Sequence, residues 1–213
     1  MVSYIRPIIP IGHSFNAELF TMLLYLFLFV GISMLIGATL VKVIRAKGEV
    51  ANMPLTVTIT AIVSLFLFAR YGLSVTAIQG VFLMFVLLYA SISDVNYHIV
   101  DDYIWVIVFA LALLNVDKIG MTSMVVGALC VFIPQMAMAL LPPHKTLGGA
   151  DIKLSTALAF LLGGWKGICA YLLGLIIAVI FMCIYNKVKG NKEKKPFALV
   201  PFLSVGAMIV FII

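Results

Sequence analysis

Two aspartates of this apolar chain have neighbours that suit proton-transfer chemistry. Asp151 follows Gly148, Gly149 and Ala150, whose side chains are so small that an extended peptide backbone can approach the carboxylate closely. Asp151 also begins an apolar run, where the positive end of a helix dipole favours a carboxylate. Asp94 ends another apolar run, on the amino-terminal side of the chain. Both acids are therefore expected at helix ends.

Asp94 is surrounded by the small or amide residues Ser91, Ser93 and Asn96. If Asp94 and Asp151 meet near low-dielectric lipid, both cannot ionise cheaply, so one carboxyl group keeps its proton while the other is charged. Aspartyl hydrolysis requires that state. The carboxylate takes a proton from water, and the acid protonates the peptide carbonyl or the leaving nitrogen.

The elements that must position these acids are predicted to be membrane helices. Of the 213 residues, 64% are hydrophobic and only 10% are charged, which is too apolar for a water-soluble protein of this length. Unpaired backbone is costly in lipid, and no alternating pattern indicates a barrel. The fold class is therefore predicted to be all-α, a polytopic integral membrane helical bundle.

Eight runs without charge indicate about eight transmembrane segments. They cover residues 19–41, 55–69, 71–93, 103–116, 119–143, 154–165, 167–186 and 196–213. Runs 55–69, 103–116 and 154–165 are shorter than the roughly 20 residues that span a bilayer core, so flanking residues must complete them or the bilayer must thin.

The basic residues predict which loops lie inside. With both termini outside, ten of the 14 lysines and arginines fall on the cytoplasmic side of a cell membrane, as the positive-inside rule requires. Four remain outside, namely Arg6, Arg70, Lys118 and Lys166. This topology brings Asp94 and Asp151 to the same, cytoplasmic face. The net charge of +6 thus mainly reflects this topology, and attraction to anionic lipid is a secondary effect. No nucleic-acid partner is predicted.

Other polar residues have simpler interpretations. Asp101 and Asp102 precede the apolar stretch YIWV and are expected to cap that helix through their side chains. Lys153 is open to two interpretations, since it can tune Asp151 or anchor the helix at the membrane surface. The cysteines and histidines form no ligand pattern, so neither a metal site nor a cofactor is predicted.

Three motifs in order resemble a known family. The stretch GGADIK, residues 148–153, is similar to the GxGDxK signature of the type IV prepilin peptidases and preflagellin peptidases, which are GxGD-class membrane aspartyl proteases. Asp94 begins DVNYHIVDDYIW, which is similar to the segment after the family's first catalytic aspartate. PFLSVG, residues 201–206, resembles the PFLxxG segment of the family's last helix. Ala150 departs from the signature, which has glycine there.

The resemblance implies that Asp94 and Asp151 are the catalytic pair and that Gly148, Gly149, Ala150 and Lys153 are motif positions beside the substrate. The implied substrate is a prepilin-like precursor in the lipid bilayer, whose short basic leader is cut at the cytoplasmic face before a hydrophobic helix, commonly after a glycine.

The resemblance also divides the chain. It implies a six-helix aspartyl peptidase core at residues 71–213, preceded by a two-helix extension at residues 1–70. Larger members carry a cytoplasmic insertion with paired CxxC motifs that is associated with methyl transfer. The loop KVIRAKGEVANMP of this chain has no cysteine, so peptidase activity without methyltransferase activity is expected.

Two other classes of function remain open. A small ion-coupled transporter or channel would use Asp94 and Asp151 to bind a cation or relay protons, but such acids are expected near the membrane midplane. A noncatalytic membrane assembly factor would keep the fold without the chemistry.

Overall fold

The computed structural model describes residues 14–140, 148–189 and 197–213. Every regular element in these ranges is a helix, which confirms the predicted all-α membrane bundle. The helices are α1 (Ser14–Ala46), α2 (Met53–Tyr71), α3 (Val75–Tyr97), α4 (Asp102–Leu113), α5 (Val116–Ile119), α6 (Met121–Leu140), α7 (Gly149–Leu162), α8 (Gly164–Lys189) and α9 (Val200–Ile212).

The eight predicted segments correspond to every helix except α5, a single turn that the charge pattern did not indicate. Some residues used in the topology prediction lie outside the described ranges, namely Arg6, Lys145, Lys192, Lys194 and Lys195.

The helices differ in their ability to cross a bilayer. Five are long and apolar enough, namely α1, α2, α3, α6 and α8. Flanking residues extend the short run 55–69 to the 19 residues of α2. Helices α4, α7 and α9 have only 12, 14 and 13 residues, or about 20 Å at 1.5 Å per residue. Short helices of this kind agree with the expectation for runs 103–116 and 154–165, whereas the shortness of α9 was not predicted.

Helix α7 lies at the centre of the bundle. It packs against α4, α6, α8 and α9, and nearly every side chain from Ile152 to Leu162 is buried. A helix that is apolar on all faces is stable only when neighbours surround it. Helix α1 differs, because it packs mainly on α2 and leaves most of its described side chains exposed. The bundle therefore positions α7, and the aspartate in its first turn, by contacts on every side.

Loops collect at two ends of the bundle. At one end, which we call the aspartate end, the last turn of α3 meets residues 47–52 and the first turns of α4, α7 and α9. There Asn96 Nδ2 donates a 3.0 Å hydrogen bond to the carbonyl of Val50. At the opposite end, α2 and α9 finish together, and Arg70 Nη2 lies 3.4 Å from the carbonyl oxygen of Ile213. The helices thus alternate in direction as the charge clusters predicted.

Candidate active site

Asp94 lies in the last turn of α3 and is buried, with 6% of its surface exposed. Its Oδ2 atom accepts a 3.0 Å hydrogen bond from the backbone N–H of Val200, the first residue of α9. The first N–H groups of a helix have no partner within the helix, and Leu199 at the cap position offers no side-chain acceptor. Asp94 therefore caps α9 from a different helix, and the positive end of α9 favours its carboxylate form.

The sequence PFLSVG explains why α9 begins beside Asp94. Pro201 occupies the second helical position, where its missing N–H costs no hydrogen bond. One turn further along, Ser204 and Ser91 join α9 to α3 through a 3.1 Å hydrogen bond between their hydroxyl groups. A Cβ at Gly206 would stand 2.6 Å from the carbonyl oxygen of Ala170, so this glycine permits α9 to pack closely on α8. The motif thus fixes the helix start that binds Asp94.

Asp151 lies in the first turn of α7 and is partly exposed. Its backbone N–H donates to the carbonyl of Gly148 at 3.1 Å. A Cβ at Gly148 would stand only 3.0 Å from Asp151 Oδ2, whereas a Cβ at Gly149 would meet no atom within 4 Å. Both glycines are exposed, and Ala150 belongs to the helix itself. Gly148 therefore keeps the space beside the carboxylate open.

The bundle brings Asp94 and Asp151 together at the aspartate end. Their carboxyl groups interact electrostatically, although 57 positions separate them in the chain. Helices α3 and α7 each pack against both α4 and α9, which hold the two aspartate-bearing ends in place. Because two neighbouring carboxyl groups do not readily ionise together, a proton on one of them is favoured while the other is charged.

Two further residues act on the aspartates. Tyr171 of α8 interacts electrostatically with Asp151. It was missed in the sequence because it lies within an apolar run and no motif surrounds it. His98 follows α3 in a left-handed conformation, with φ of 54°, and interacts electrostatically with Asp94.

Lys153 is directed at α4. Its Nζ atom lies 2.6 Å from Asp102 Oδ1 and 6.0 Å from the centre of the Trp105 ring. Both members of the ion pair are well exposed. Of the two interpretations of Lys153, this contact favours a surface anchor between α7 and α4 over direct contact with Asp151.

Asp101 and Asp102 lie at the start of α4, as predicted, but the predicted side-chain cap hydrogen bond is absent. Asp101 occupies the cap position but makes no side-chain cap hydrogen bond, and its Oδ2 instead accepts from the Tyr89 hydroxyl at 3.1 Å. Asp102 is paired with Lys153. Cross-helix donors compete with the backbone N–H groups for these carboxylates, and local sequence does not reveal such donors.

Within residues 14–140, 148–189 and 197–213, no cluster of three or more His, Cys, Asp or Glu side chains offers a metal site. Cys130, Cys169 and Cys183 are free thiols.

Comparison with known families identifies this region. Residues 81–185 match the model of the type IV leader peptidase family. Over these residues, just under half of its length, the chain is similar to that family. The leader peptidase region contains Asp94, Asp151 and all of α4, α6 and α7, which confirms the resemblance inferred from the motifs. No significantly similar relative was found among curated proteins or solved structures.

Proposed function

We propose that the protein is an intramembrane aspartyl endopeptidase that removes the short basic leader from type IV prepilin-like precursors. The observation that carries the proposal is that Asp94 and Asp151 lie at the same end of the bundle, on α3 and α7, which both pack against α4 and α9, within the region that matches the leader peptidase family. These two aspartates are the proposed catalytic pair.

The surroundings of the two carboxyl groups suggest their roles. Asp94 accepts the Val200 N–H and faces the positive end of α9, so it is the proposed base that takes a proton from the attacking water. Asp151 is more exposed and lies beside the open Gly148–Gly149 backbone, so it is the proposed acid. It protonates the carbonyl oxygen as water attacks, because the negative charge of Asp94 favours a proton on Asp151. Asp94, which then holds the proton from water, protonates the leaving nitrogen as the C–N bond breaks, and Asp151 regains its proton from a hydroxyl of the tetrahedral intermediate.

The proposed orientation places the aspartate end at the cytoplasmic face of the cell membrane, with both termini outside. The ten-to-four distribution of basic residues supports it. In this orientation a precursor keeps its hydrophobic helix in lipid while its basic leader lies at the inner surface. Residues 71–213 form the proposed peptidase core, and residues 1–70 form the extension.

An ion-coupled transporter or channel is less well supported. Asp94 is four residues from the start of the α3–α4 connection, and Asp151 is the third residue of α7. Transport acids are expected near the midplane of broken helices, whereas both aspartates are at helix ends.

Co-expression with a precursor tests the function. The precursor carries a short lysine-containing leader that ends in glycine before an apolar helix. The wild-type protein is expected to release a product whose mass lacks the leader and carries no methyl group. Asp94→Asn and Asp151→Asn should abolish this product, and the exposed Asp117→Asn at the opposite end should preserve it. An uncut precursor with the folded wild-type protein would instead support a transporter or an assembly factor.

A further inference from the structure

An apolar groove runs along the lipid-facing side of α3. Helices α2 and α9 both pack on α3 but scarcely touch one another, which leaves a groove of about 320 Å³ between them. Its floor includes the buried side chains of Met84, Leu87 and Met208. Its walls include Phe66 of α2 and Val205 of α9, whose side chains are 57% and 48% exposed. The groove is therefore open sideways to the bilayer.

The groove ends beside the candidate catalytic pair. Ser91, Ser204 and Pro201 line that end, and the two serine hydroxyls bind each other at 3.1 Å. Ser91 lies one helical turn before Asp94, and Pro201 follows Val200, so this end of the groove is adjacent to the Asp94–Val200 hydrogen bond. The rest of the lining is apolar and suits an apolar partner without polar side chains.

The dimensions of the groove suit a helical segment. From Pro201 to Ile212 its α9 wall covers eleven residue steps, or about 17 Å of helix. A partner helix would place about three turns in contact with the protein and leave its outer face in lipid.

The charges at the two ends give the groove a direction. Asp94 and Asp151 lie at the aspartate end, and Arg70 lies at the opposite end beside the terminal carbonyl of α9. Carboxylates are complementary to the positive amino-terminal end of a helix, and a guanidinium is complementary to its carboxyl-terminal end. A helix in the groove is therefore most stable with its amino terminus towards the aspartates.

We propose that this groove holds the apolar helix of the precursor, with the amino-terminal end of that helix at Asp94. The inference rests on the proposed function and adds where the substrate binds. A helix bound in this direction places the peptide bond that precedes it beside Asp94 and Asp151. The groove then selects precursors by their apolar helix, and the two aspartates cleave the peptide bond that this docking places beside them.

Photo-crosslinking tests the docking site. A photoreactive diazirine amino acid close to leucine in size, which does not fill the groove, is placed at Val205 or Ile209, or at the control position Val179, which is 61% exposed on α8. Each Asp151→Asn variant is reconstituted in lipid nanodiscs with the lysine-leader precursor. Adducts to the precursor are expected at both groove positions and not above background at Val179. If the groove holds lipid or a second copy of the chain, all three positions give equally little precursor adduct, and the inference is overturned.

A kinetic test separates docking from chemistry. Val205→Trp fills the groove, and Val179→Trp is the matched control. Val205→Trp is expected to lower kcat/KM at least about tenfold for the precursor, a loss near 1.4 kcal/mol, and to leave a short peptide without the apolar helix unaffected. Equal losses on both substrates, or no loss on the precursor, would overturn the docking site. A wild-type protein that cuts neither substrate would refute the proposed function instead, and the crosslinks would still report on the groove.

Discussion

The carboxylate of Asp94 accepts a 3.0 Å hydrogen bond from the backbone N–H of Val200, which joins the end of α3 to the start of α9. The residues are 106 positions apart, and the family match ends before α9 begins. Since the N–H groups at a helix start need an acceptor, the bond stabilises α9 as well as orienting Asp94. The last helix is thus part of the candidate site.

Gly148 and Gly149 offer a matched test of the space beside Asp151. Gly148→Ala is expected to slow precursor cleavage about tenfold, because its Cβ would lie 3.0 Å from Asp151 Oδ2 and displace the carboxylate. Gly149→Ala should retain the wild-type rate, because its Cβ would meet nothing within 4 Å. Initial rates with purified variants measure this difference. Equal effects of the two substitutions would show that crowding at Asp151 is not the cause.

The buried pair Gln135 and Ser155 is expected to stabilise α7 against α6. Their side chains exchange hydrogen bonds of 2.8 and 3.0 Å, one turn beyond Asp151. Ser155→Ala should lower the unfolding free energy by about 1 kcal/mol, because it removes an interhelical partner from a buried amide. Adding Gln135→Leu should recover part of the loss, since neither polar group then remains. Denaturant unfolding in detergent measures both, and a double variant less stable than Ser155→Ala would contradict this account.

Lys153→Ala tests whether this lysine acts on catalysis. Its ammonium group is paired with the exposed Asp102, so removal is expected to leave the cleavage rate and the midpoint of thermal unfolding nearly unchanged. Asp102→Ala should behave in the same way. A large loss of kcat for Lys153→Ala, with Asp102→Ala unaffected, would assign the lysine a direct role beside Asp151.

Ala150→Gly restores the signature residue. Ala150 lies in the first turn of α7, so glycine is expected to lower the unfolding free energy by up to about 1 kcal/mol without a faster cleavage rate. Paired rate and unfolding measurements check this. A tenfold faster variant would show that the alanine methyl group hinders the substrate.

Much of the fold can be predicted from the sequence, because unpaired backbone is so costly in lipid that apolar segments must form helices. Charge clusters define the ends of apolar helices, and the eight runs and their alternating directions appear in the structure. The exact lengths depend on packing. Helix α9 begins four residues after the start of its run 196–213, because the first N–H group of the helix finds an acceptor at Asp94, in a distant part of the chain.

The candidate site was predicted only in part. Asp94, Asp151 and Gly148 were identified from the sequence motifs and their spacing, because these motifs consist of residues that are close together in the chain. The contacts of Asp101 with Tyr89, of Asp102 with Lys153 and of Tyr171 with Asp151 join different helices. Such interactions depend on which face each helix turns towards its neighbours. A helix that is apolar on all faces gives no sequence pattern that predicts this face.

The most direct test of the account is a double-mutant cycle on the two aspartates, measured as single-turnover cleavage of the precursor in nanodiscs. If Asp94 and Asp151 share one proton in one reaction, each Asn variant should lose at least about 100-fold in rate, and the double variant should be no slower than either single variant. Asp117→Asn serves as the control for folding and reconstitution. Wild-type cleavage by either single Asn variant, or losses that add in the double variant, would contradict the claim that the two carboxyl groups act as a pair.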